Sequence, residues 1–315
     1  MSLGGAKMYI DDLRRLEQAM CTPERIEKTV EYLADNLRKF LRTGDKLMIA
    51  FTDNEPNRYA DLLAKAARKL GVTVLIPENY KWKTMLTLAF RSRCTAISAP
   101  PFVVLGLTKI ARYTNTPLYF RNVITSSYRC TGWMMEGIQR GLDCQVWGCL
   151  GPGTGPLVSG FSCNKEAVLH VRDDQFEVEI VDRDENVLPD GESGYAVITP
   201  KGMPHLRYHT AEIATMRRTP CACGCTSPLL LDMHSGEDVD AYQEQLGREL
   251  LNWTSILDCR FHNGESGFEM ELIVFPGEKL PTLPQCAKRV IKHWDPERDV
   301  PFWFNPDWRK NEYNS

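Results

Sequence analysis

No stretch of the chain approaches the roughly 18 consecutive apolar residues that a spanning helix needs, so no membrane partner is expected. Neither sign of charge dominates. Thirty-eight Lys and Arg stand against 41 Asp and Glu, for a net charge of -3. That removes the electrostatic case for nucleic acid or an anionic surface as a partner. The first residues, Met1-Ser2-Leu3-Gly4-Gly5-Ala6-Lys7, hold no apolar core of the kind a secretory signal carries. The 11 cysteines therefore read as reduced thiols of a cytoplasmic protein, and their odd number excludes a fully paired disulfide framework. Internal repeats and low-complexity segments are absent. So are a Gly-rich loop ending in Lys-Ser/Thr and a dinucleotide fingerprint.

What is present is a globular balance, 43 % hydrophobic and 25 % charged over 315 residues, enough for a substantial core and two or three lobes. The first half alternates helical and strand-like periods. Thr22-Pro23 is a helix start within a helical stretch over 8–42, with Thr as N-cap and Pro in the first turn. Ile26, Val30, Leu33 and Leu37 give that helix an apolar stripe. Strands are expected at 46–51, 72–77, 95–98, 118–124 and 144–148, with helices at 58–70, 83–91, 100–113 and 133–140. Such alternation predicts parallel βαβ units and a sheet covered on both faces.

The pattern then changes. Residues 169–172, 176–182, 195–199 and 206–216 alternate apolar and polar between turn clusters, as antiparallel strands do. Beyond residue 232 the pattern predicts a helix at 240–253, a hairpin of 258–262 and 268–275 joined through Asn263-Gly264, and a helix at 283–292. The aromatics Phe302, Trp303, Phe304 and Trp308 are expected to dock the tail onto a lobe. The expected fold class is α/β. A parallel-sheet core lobe over 1–150 precedes an antiparallel, barrel-like β region over 151–232 and a small α+β C-terminal lobe over 233–315.

Chemistry concentrates between residues 163 and 225. Cys163 and His170 open this stretch, and Cys221-Ala222-Cys223 closes it. Three thiolates and an imidazole suit a closed tetrahedral zinc site that leaves no position for water. The plain alternative is buried thiols, a core histidine and a Cys-x-Cys turn. Cys225 is either a substitute ligand or a spectator. Gly151-Pro152-Gly153-Thr154-Gly155-Pro156 is either a tight connection or a phosphate cradle built from backbone N–H groups.

The order of motifs over 148–228 resembles the phenylacetate–CoA ligase branch of the AMP-forming adenylating enzymes. Its pieces are Trp147-Gly148, Gly151-Pro152-Gly153, Cys163-x6-His170, the acidic strand at 173–182, and Leu188-Pro189-Asp190-Gly191-Glu192. The segment at 203–213 and Cys221-x-Cys223-Gly224-x-Thr226-x-Pro228 complete the series. The resemblance implies a structural Zn2+ held by Cys163, His170, Cys221 and Cys223. It implies nucleotide contacts at Trp147, Gly148, Arg207 and Glu212, with Glu212 where the family has its ribose-binding Asp. It further implies ATP or AMP, Mg2+ and CoA as cofactors and a carboxylic acid, often aromatic, as substrate.

Several family parts differ. The chain begins after the family's phosphate loop, so the resemblance is to a member truncated at its N-terminus. The Ser and Glu of the aromatic-Gly-x-Ser-Glu element are replaced by Leu150 and Gly151. The catalytic Lys falls near Cys286, and Lys288 stands two residues away as the candidate. One function implied is an adenylate-forming acyl- or aryl-acid–CoA ligase homologue that works with a second chain supplying the missing portion, or as a homo-oligomer. The alternative is a zinc-stabilised pseudoenzyme that binds an acyl or nucleotide ligand or a partner protein. A third reading, acyl transfer through Cys149 or Cys286, needs an exposed thiol of depressed pKa.

Overall fold

The computed structural model describes residues 21–51, 59–126, 130, 132–150, 158–163, 168–235, 238–264, 267–283 and 285–302. The loop at 151–156, the tail beyond Phe302 and residues 8–20 of the first expected helix lie outside them. Helix α1 spans Pro23–Leu37; its Arg25 N–H donates to the Thr22 hydroxyl at 3.4 Å. This satisfies one of the backbone donors that a helix start leaves open. Its stripe of Val30, Leu33, Ala34 and Leu37 is buried.

Strands β1 (Lys46–Ile49), β2 (Thr73–Leu75), β3 (Ala96–Ala99), β4 (Asn122–Thr125) and β5 (Gln145–Leu150) pair in parallel in the order β2-β1-β3-β4-β5. Helix α2 (Tyr59–Lys69) joins α1 on one face of the sheet, over Leu47, Ile49 and Phe51. Helices α3 (Trp82–Arg91), α4 (Pro101–Tyr113) and α5 (Gly132–Leu142) cover Met48, Ala50 and Val123 on the other face. The alternation of Leu47 and Ile49 with Met48 and Ala50 follows from strand geometry. Gly106 lets the indole of Trp82 lie across α4, because a Cβ there would come within 2.2 Å of that ring.

The parallel half passes into the antiparallel half without a break. Strands β6 (Gly160–Ser162), β7 (Leu169–Val171), β8 (Phe176–Val181), β9 (Ser193–Pro200), β10 (Tyr208–Arg217) and β11 (Leu229–Ser235) extend the same sheet to 11 strands. The order continues β5-β6-β7-β11-β10-β9-β8, and β6 is antiparallel to β5.

The C-terminal lobe has helix α6 (Asp238–Leu251) and a separate sheet of β12 (Ile256–Gly264), β13 (Gly267–Val274) and β14 (Lys288–His293). The expected hairpin is β12–β13. The helix expected over 283–292 is wrong, because residues 288–293 are β14, parallel to β13. The β-branched pair Val290-Ile291 favours a strand, and Pro281 and Pro284 upstream break a helical run. An edge strand also tolerates the Lys and Arg that suggested a solvated helix face.

This lobe shares a core with the first. Leu257, Ile273, Phe275, Trp294 and Phe302 are buried with residues of α3–α5. Tyr113 of α4 stacks on Phe275 at 4.4 Å. The Lys109 ammonium donates to the Ile256 carbonyl at 2.6 Å, and burial lowers its pKa to about 8. Phe302, the start of the expected aromatic tail, donates its N–H to Asp258 at 2.8 Å. Desolvation raises the Asp258 carboxyl to about 7.

Candidate functional site

The four expected metal ligands meet at the seam where β6, β7 and β11 run side by side. Cys163 directly follows β6. His170 is the middle residue of β7, opposite Phe161 on one side and Leu229 on the other. Cys221 and Cys223 come from the turn between β10 and β11. That turn is closed by Gly224 N–H to the Cys221 carbonyl at 2.9 Å and by Cys221 N–H to the Cys225 carbonyl at 3.1 Å. Gly224 has φ +87°, a conformation that glycine adopts without a Cβ clash.

The donor atoms of Cys163, His170, Cys221 and Cys223 all lie within 4.8 Å of one another. Cys163 Sγ and Cys221 Sγ are 3.6 Å apart, and Cys223 Sγ is 3.4 Å from His170 Nε2. Tetrahedral ligands at about 2.3 Å from zinc would be separated by roughly 3.8 Å along each edge, so the spacing fits one ion. A disulfide, by contrast, would bring its sulfurs to about 2.05 Å. The Cys223 N–H points to Cys221 Sγ at 3.5 Å. Val168 and Leu229 pack beside the buried thiols. Cys225 is not among the four.

Each residue expected at a nucleotide has contacts of its own within the fold. Trp147 is 3 % exposed, stacked on Phe40 at 4.2 Å, and its Nε1–H donates to Asn122 Oδ1 at 3.1 Å. Its ring is thus part of the core between α1 and the sheet. Gly148 donates its N–H to Ser162 Oγ at 2.6 Å. A Cβ on Gly148 would meet the Leu169 side chain at 3.3 Å, so that side chain lies close to it.

Arg207 lies between Glu179 at 2.9 Å and Glu185 at 2.6 Å. The hydrogen bond to Glu179 raises its pKa further above the usual arginine value. His209 Nε2 is 3.3 Å from the same Glu185. Glu212 is half-buried in β10, where the register to β9 slips between His209 and Ile213. Its N–H donates to Thr210 Oγ1 at 3.2 Å. Lys288 starts β14, with its ammonium 3.4 Å from Glu269.

The sequence reading missed a buried polar group at the carboxyl ends of β3, β4 and β5. The Tyr59 hydroxyl meets Ser98 Oγ at 3.4 Å and also bonds Ser126 and Cys149. Burial pushes the Cys149 thiol up to about 12, opposite to the depressed pKa that acyl transfer through it needs. The available signal was positional, because ligands in open α/β sheets bind beyond the carboxyl ends of the strands.

No protein-family model and no curated protein sequence matches this chain. Solved structures do. A 2-hydroxyisobutyryl-CoA ligase in its postadenylation state with R3-HIB-AMP aligns at TM-score 0.65 and 12 % identity, over 91 % of this chain and 71 % of that one. The same enzyme with 2-HIB-AMP aligns at 0.63 and 14 %, over 78 % and 57 %. A benzoate CoA ligase from Burkholderia xenovorans LB400 aligns at 0.54 and 11 %, over 84 % and 62 %. The chain therefore spans somewhat more than half to about seven-tenths of the ligases it resembles. At these identities the likeness is one of fold, a mixed α/β fold like that of those ligases.

Proposed function

We propose that this protein is an acyl-adenylate-binding protein of the phenylacetate–CoA ligase-like branch, stapled by a structural zinc. The observation that carries the reading is the donor tetrad. Cys163 and Cys221, 58 positions apart, meet His170 and Cys223 with zinc-compatible spacing, in a fold shared with CoA ligases that hold acyl-adenylates. Zinc with four protein ligands contributes folding free energy and leaves no open position for catalysis. In this proposal the AMP moiety lies beyond the carboxyl edge of β4 and β5, touching the Gly148 backbone and the Glu212 carboxylate. Trp147 and Arg207 position those elements from behind. The ligand's acyl part is a carboxylic acid, aromatic by the branch resemblance. The three units are taken as 1–150, 151–232 and 233–315.

Acid activation needs cations at the transferring phosphate. Arg207 and Lys288, the two cations expected from the sequence, are each held by glutamates. This supports binding over self-contained ATP-dependent ligation. Calorimetry with a non-hydrolysable acyl-AMP analogue, beside pyrophosphate–ATP exchange across aromatic and aliphatic acids, tests the proposal. Binding that Glu212→Gln weakens at least tenfold, with exchange at background, is the expected result. An analogue that does not bind would sink the reading. Acid-dependent exchange by the purified chain would replace it with the full ligase.

A further inference from the structure

One ligand of the tetrad differs from the other three. Cys163, His170 and Cys221 are buried, whereas Cys223 is exposed. It sits in a tight turn with one residue between it and Cys221, and their sulfurs are within 4.8 Å. Both cysteines belong to the one turn between β10 and β11, so a bond between them joins no two strands. We propose that Cys223 is an oxidation site, at which a hydroperoxide joins it to Cys221 and expels the metal. The proposal rests on the zinc reading above.

The chemistry balances in two steps. The Cys223 thiolate attacks the outer oxygen of the hydroperoxide, the O–O bond breaks, and one proton is taken up. Cys223 is left as the sulfenic acid, with an alcohol or water released. The Cys221 thiolate then attacks that sulfur, and the hydroxyl leaves as water with a second proton. The two sulfurs lose two electrons and the hydroperoxide gains them. The ion, left with Cys163 and His170 only, dissociates as the dication.

The consequence reaches Gly148. Ser162, which accepts the Gly148 N–H, is the residue before Cys163. Leu169, which packs against Gly148, is the residue before His170. Both supports of Gly148 are therefore direct chain neighbours of ligands, and release of the ion loosens the seam that holds it.

The test uses the full chain as purified. Elemental analysis establishes the metal. Hydrogen peroxide is then added beside a chromogenic zinc chelator, with thiol titration, peptide mapping and amide exchange. The expected result is zinc release in step with the loss of two thiols, a Cys221–Cys223 link, faster exchange at Gly148, and reversal by dithiol plus zinc. Cys225→Ser keeps all four ligands and should release zinc equally. Zinc retained while Cys223 is oxidised, a link that omits Cys223, or release abolished by Cys225→Ser would each overturn the assignment of the Cys221–Cys223 pair. Protein that carries no zinc overturns the metal reading and this inference together, whereas zinc that survives oxidation overturns this inference alone.

Discussion

The tetrad and the expected nucleotide residues are two sets named by the same sequence, and the fold treats them differently. All four donors of the tetrad converge on one point. The other set is held by contacts to the rest of the fold. Trp147 is in the core, Gly148 donates to Ser162 at the β5–β6 seam, Arg207 lies between two glutamates, and Glu212 is half-buried in β10. The difference teaches what a motif can carry. A metal site needs only that short segments land on neighbouring strands with the right donor atoms. A ligand cleft needs side chains to be left free, and that depends on every other residue that competes for them.

The largest expected effect is on the tetrad. Structural zinc binding amounts to roughly 10–16 kcal/mol in small zinc-dependent peptides. Cys221→Ser, or a strong chelator, should therefore lower the melting temperature by well over 10 °C in calorimetry, since even about 1 kcal/mol moves a large domain by a few degrees. Unchanged melting would dissolve the contrast, because the four donors would then be only packed thiols and a core histidine.

Trp147→Ala comes next. Loss of a buried Trp costs about 3–5 kcal/mol, and here it also leaves the buried Asn122 carbonyl oxygen without its donor. Urea unfolding should show that loss. A Trp147→Ala protein of normal stability that no longer binds the acyl-AMP analogue would move this residue back to the ligand.

Arg207→Ala should show least. Half-exposed ion pairs contribute about 0.2–1 kcal/mol, reduced by salt. The expected outcome is a small stability change and a loss of affinity for the analogue of a few-fold at most, as befits a residue that acts on the site only from behind. A tenfold loss of affinity with intact stability would mean that Arg207 leaves Glu179 and Glu185 for the ligand's phosphate.

Local signals located most elements. Thr22-Pro23 starts α1 because cap and first-turn proline act within a few residues. The alternating strands of the β region and the β12–β13 hairpin followed from period-two burial. Residues 283–292 failed because Lys and Arg around Val290-Ile291 describe an exposed edge strand as well as a helix face. Only the pairing with β13 decides between them.

The sequence by itself determined the α/β class, the alternation of the first half and the four clustered donors, because periodicity, caps and ligand spacing are properties of short segments. The tertiary structure alone decided that β5 pairs with β6 and fuses both halves into one sheet. It also decided that the C-terminal lobe shares a core with α3–α5, and that Trp147 and Arg207 have partners. Those outcomes rest on long-range competition for buried surface and for opposite charge, which no window of a few residues contains.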